Sequence, residues 1–136
     1  MAEIQQTWGY SGSSGTIDVT GGWYDAGDHG KYVVNGGFSL WMLQNQYETA
    51  LKYGFEDKFA DGTMNIPENE NGFPDLLDEA RWEMDWMFSM IVDSGEYKDM
   101  LYHKAHDEKW TALGIAPADD EMKRIVKPPT TAATLN

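Results

Sequence analysis

Two carboxylates, Asp25 and Asp28, stand three positions apart in the stretch DVTGGWYDAGDHGKYVVN. Gly21, Gly22, Gly27 and Gly30 surround them and keep the segment from forming a regular helix. Trp23, Tyr24, His29 and Tyr32 add flat apolar faces with polar tips, the chemistry that sugar-binding clefts use. An Asp pair on a glycine-bent, aromatic-rich loop is suited to aiming carboxylates at a substrate or at a water. The structural alternative is a solvated turn, since Asp and Gly are ordinary turn residues.

The elements that must position this loop are helical. The spacing of Phe38, Trp41, Met42, Leu43, Tyr47, Ala50 and Leu51 predicts a helix from Gly36 or Gly37 to Tyr53, with Asn35 as N-cap and Gly54 as the stop. It carries little charge before Glu48, so burial on more than one side is expected. A second helix is expected over 71–93, with Pro74 in its first turn and Asp75, Asp78 and Glu79 near its positive end. Its apolar stripe runs through Phe73, Leu76, Leu77, Ala80, Met84, Met87 and Ile91. Arg81 is placed to pair with Asp78 or Asp85. Trp82 and Trp86, one turn apart, read as packing between layers or as a sugar platform.

Short extended pieces are expected at 17–19 and 32–34. The stretch 94–129 has no sustained period and reads as a long excursion, a kind of segment that is usually functional in a compact domain. A new helix opens at Thr130 or Thr131 and the sequence stops within it, so a fragment of a larger domain is expected.

Several strings raise the loop reading to a family. GGWYDAGDHGKY resembles the signature near the start of glycoside hydrolase family 9 catalytic domains. DGTMNIPENENGFPDLLDEARWEMDWM, HKAHDEKW and PPTTAATLN follow in the family's order. The resemblance covers most of the chain from about Thr16 onward and makes residues 1–136 part of such a domain. It implies an all-α fold, part of an (α/α)6 barrel left incomplete here, and inverting hydrolysis of β-1,4-glucan.

Inversion uses one carboxyl to protonate the leaving oxygen and another, about 6.5–9.5 Å away, to deprotonate a water. By resemblance Asp28 is the base and Asp25 helps to hold the same water. The family's acid is a Glu expected beyond Asn136. Trp110 would stack on a glucosyl ring, with His106 or Lys109 on hydroxyls and Tyr24 in the cleft; alternatively, Trp110 anchors its loop. No cofactor is implied, although a structural calcium in the full domain is compatible with the family. Family 9 also contains enzymes that act on amino-sugar oligomers.

Other chemistry finds less support. Asp57, Asp61, Gly62 and Glu68 match positions of a calcium loop, but Phe59 stands where an oxygen ligand is needed. His103, His106 and Asp107 have metal-like spacing without a helical period to fix it. We assign no metal ligands. GxSxG, P-loop and dinucleotide fingerprints are absent from the sequence, and there is no Cys.

Composition is consistent with a neutral polymer as partner. In 136 residues, 10 basic and 23 acidic side chains give −13, which disfavours nucleic acid and anionic membranes. Six Trp and seven Tyr favour stacking. No run approaches the ~18 apolar residues of a membrane span. The sequence does not begin with a signal peptide, whereas the family is usually secreted, so a chain trimmed at its front is expected. The isolated chain is expected to expose apolar surface and self-associate. The rival functions are an inert glucan-binding fragment and a calcium-binding helical domain.

Overall fold

The computed structural model describes the backbone of Ile4–Thr7 and residues 15–136. Two helices pack on each other beside a five-stranded sheet. Strand β1 is Ile4–Thr7, β2 is Thr16–Asp18 and β3 is Lys31–Tyr32. Helix α1 is Val33–Tyr53 and α2 is Asp75–Ser89, with β4 at Lys104–Asp107, β5 at Arg124–Val126 and a short α3 at Thr131–Thr134. The sheet order is β2-β1-β5-β4-β3, antiparallel except for β1 on β5. Among the described residues no helix is long and apolar enough to cross a membrane.

The all-α expectation is therefore met only in part. The stretch read as an irregular excursion supplies β4 and β5, which pair through Ala105–Val126 and His106–Ile125. Strands of three or four residues are too short to print a period on the sequence, and their partners are distant.

Helix α1 starts earlier than its apolar pattern does. Tyr32 is extended, and the Val33 N–H donates to His103 O at 3.2 Å, so a tertiary bond begins the helix. Asn35 is inside the helix and is not its cap. The predicted stop is in place, with Gly54 left-handed at φ 72° and its N–H on Ala50 O. Burial on several sides is not found in these residues: Leu40 and Ala50 are buried, while Phe38, Trp41, Met42 and Leu51 are more than half exposed.

Helix α2 starts one residue after Pro74, which precedes it in extended conformation. Phe73, expected in its apolar stripe, is exposed, whereas Leu76, Ala80 and Trp86 are buried. Arg81 pairs with Asp85 at 3.5 Å on the exposed face. Thr130 caps α3, its Oγ1 accepting the Ala133 N–H at 3.2 Å. The core lies where α2 meets the sheet, around Val19, Val33, Trp86, Met90, Tyr102 and Val126.

Candidate active site

The Asp loop runs between β2 and β3 and is fastened at both ends. At its start Gly22 has φ 72° and passes close over α2, where an added Cβ would lie 2.5 Å from Trp86 Cγ. The Trp23 N–H donates to Glu83 Oε2 at 2.7 Å and its indole N–H to Glu79 Oε1 at 2.6 Å. Trp86 is thus core packing, and Trp82 lies half exposed beneath Gly21.

At the other end His29 is buried. Its Nδ1 lies 2.8 Å from Asp120 Oδ2 and its Nε2 lies 3.1 Å from Ile115 O. Arg124 Nη1 donates to His29 O at 2.8 Å and to Asp107 Oδ1 at 2.9 Å. Thr111 Oγ1 stands 2.9 Å from Asp107 Oδ2 and 3.0 Å from Asp120 Oδ2. The Met122 N–H, followed by the His29 and Thr111 bonds, holds the Asp120 carboxyl below its ordinary value against the effect of burial.

Between these fastenings the loop is bent back on itself by the Asp25 N–H on Gly30 O at 2.9 Å. Asp25 is exposed, and its Oδ1 accepts Asn35 Nδ2 at 2.7 Å, which is the job of the residue expected as a cap. Asp28 is half-buried, with the Gly30 N–H 3.3 Å from its Oδ1.

Asp28, His106 and Trp110 line one hollow of about 170 Å³, together with Lys104, Asp107, Glu108 and Lys109. Asp25 and Tyr24 line a smaller one of about 90 Å³ with Trp23, Tyr32, Asn35, Gly36 and Ser39. The two adjoin where Lys104 Nζ lies 4.6 Å above the Tyr32 ring and 3.4 Å from its hydroxyl. Trp110 is 78% exposed and is not an anchor packed into the core. Burial, then Lys104 and Lys127, pushes His106 down to about 4, so its ring is neutral near neutral pH. Its Nε2 has no hydrogen-bond partner among the described residues. Tyr24 leans on the lower network, 5.4 Å from the His29 ring, with Lys31 and Arg124 at 5.6 and 6.0 Å from its own.

Several of the candidate metal donors are engaged in other bonds. Asp61 accepts the Asn71 and Gly72 N–H groups at 3.2 and 2.6 Å, tying a turn, and His103 Nδ1 is 3.0 Å from Thr130 Oγ1. His29, Asp107 and Asp120 bring ligand atoms within 4.8 Å of one another. The Arg124 guanidinium and the Thr111 hydroxyl already engage these carboxylates, so the set is an ion network and does not fit a metal centre.

The family model of glycosyl hydrolase family 9 matches residues 3–136. The chain belongs to that family. Family 9 relatives include endoglucanase C of Cellulomonas fimi, 60% identical over 120 residues, covering 88% of this chain and 11% of that protein. A cellulose 1,4-beta-cellobiosidase of Acetivibrio thermocellus is 55% identical over 126 residues, covering 89% and 14%. A metagenome-derived family 9 endoglucanase superposes with a TM-score of 0.78 at 38% identity, over 90% of this chain and 20% of that one. The chain thus spans a small part of the length of the family 9 proteins it matches.

Sequence reasoning missed Glu79, Glu83, His29, Asp107, Asp120 and Arg124 as supports of the loop. Glu79, Trp82, Glu83 and Trp86 share one face of α2 at helical spacing, a signal that was available. Asp120 and Arg124 carried no local sign.

Proposed function

We propose that this chain is the N-terminal portion of a β-1,4-glucan hydrolase domain, an (α/α)6 barrel completed by helices outside these residues. The wet apolar side chains of α1 support that architecture, because barrel neighbours would cover them. Cellulose or a related glucan, or a cello-oligosaccharide, is the substrate. On a polymeric glucan, which cannot enter a cell, the enzyme works outside it.

The observation that carries this reading is the convergence on one hollow of Asp28 from one motif with His106 and Trp110 from another. Asp28 removes a proton from a water as the water oxygen bonds to the anomeric carbon and the glycosidic oxygen leaves. A glutamate outside this sequence donates the proton that the leaving oxygen takes. Asp25 orients the water from the adjoining hollow, Trp110 offers its face to a sugar ring, and neutral His106 and Tyr24 bond hydroxyls.

The test is Asp28→Asn in the complete domain, assayed for reducing ends on soluble β-1,4-glucan. The amide is nearly isosteric but cannot take the proton, so turnover should fall by about 10²–10⁴-fold while glucan binding persists. Near-normal turnover would remove Asp28 as the base. Binding without hydrolysis by the unaltered complete domain would favour the inert reading.

A further inference from the structure

Glu83 is unused by this chemistry, yet it is a carboxyl only 1% exposed where α1, α2 and the Asp loop meet. Burying such a group is costly unless its polar atoms are engaged. Its Oε2 takes the Trp23 backbone N–H, and Glu79, one turn earlier, takes the indole N–H of the same residue. Main chain and ring of Trp23 are thereby held from two successive turns of one helix.

Helix α1 makes room for this arrangement: a Cβ on Gly36 would collide with Glu83 Oε1. Trp23 and Gly36 are both wall residues of the Asp25 hollow, so Glu83 stands directly behind that wall. Asp25 is two residues beyond Trp23, and its side-chain partner Asn35 immediately precedes Gly36. Apart from its N–H bond to Gly30 O, the supports of Asp25 thus lead to the surroundings of Glu83.

We propose that Glu83, with Glu79, is a clamp that positions Asp25 by fixing Trp23 to α2. The proposal rests on the reading of Asp25 as the group that orients the hydrolytic water. Glu83 is a positioning residue and touches no substrate. The charged groups around it are Glu79 on its own helix and Lys31 of β3, whose Nζ donates to Val19 O at 2.9 Å. Near it, α1 contributes Asn35 and Ser39, neither of them titratable.

Burial pushes the Glu83 carboxyl up to about 7, with Glu79 adding to the rise and the Trp23 N–H and Lys31 opposing it. The folded chain therefore holds this proton more tightly than the unfolded chain. Its stabilising effect is complete below the ordinary value of 4.5 and is lost as pH rises through about 7.

The experiment compares Glu83→Ala and Glu83→Gln with the unaltered complete domain, using Asp28→Asn as the control for the chemistry. Displacement of Asp25 in Glu83→Ala should lower kcat by about 10²-fold with KM little changed. Glu83→Gln keeps an acceptor for the Trp23 N–H and should recover most of that loss. In the unaltered domain the Trp23 amide proton resonance should titrate with a midpoint of about 7, and in Glu83→Gln it should not.

Full kcat in Glu83→Ala, or equal damage in both variants, would overturn the clamp. So would a Trp23 amide resonance that is the same in Glu83→Gln as in the unaltered domain, a readout that stands even where the alanine variant does not fold. An active Asp28→Asn would instead sink the functional reading, and the Trp23 amide resonance would still decide whether Glu83 grips the loop.

Discussion

The two ends of the Asp loop are fixed by different physics. Upstream, residues 21–23 lie on α2 by shape, with Gly22 over the buried Trp86 ring and two glutamates gripping Trp23. Downstream, residues 28–30 are held by charge, with His29 and its carbonyl enclosed by Asp107, Asp120 and Arg124. Between them, residues 24–27 are exposed to solvent. The contrast shows how a glycine-rich loop can place carboxylates with rigidity it does not itself possess. Its ends are immobilised and its middle is left exposed, an arrangement that would reduce the reorganisation needed at a reaction.

The comparison can be broken from either side. The largest effect is expected downstream, with Arg124→Ala. Removing one partner of a buried ion pair leaves Asp107 uncompensated and typically costs about 3–5 kcal/mol. Denaturant unfolding of the complete domain should register that loss, and a cost near zero would mean that charge does not hold this end. Upstream, Gly22→Ala drives a Cβ into Trp86 at a left-handed backbone position, and an overpacked site of this kind costs about 1–3 kcal/mol. The same unfolding measurement should therefore rank the ionic end above the steric one. A reversed order would mean that the packing of the loop on α2 dominates.

The same division separates what was legible from what was not. Gly54 as a stop, the Arg81–Asp85 pair and Thr130 as a cap are interactions within one turn of helix, and residue types announce them. The sheet is built from pairings such as Gln6 with Ile125, for which neighbouring residues carry no trace. The start of α1 shifted to Val33 for the same reason, through a bond to His103. Asp28 could be singled out because it lies in one recognisable string, and His106 and Trp110 because they share another, HKAHDEKW. The supports were harder to see: Asp120 and Arg124 act across the chain on His29. Glu79 and Glu83 lie off the apolar stripe of α2, although their spacing with Trp82 and Trp86 marks a second face of that helix.

The account turns on Asp28 activating a water for direct displacement, with no covalent intermediate on the enzyme. The most direct test follows the first products of cello-oligosaccharide hydrolysis by the complete domain, with the anomeric protons observed by NMR before mutarotation. Inversion at a β-1,4 bond predicts that the α-anomer appears first. Early accumulation of the β-anomer would mean that a carboxylate had attacked the sugar itself, and the role given to Asp28 would be wrong.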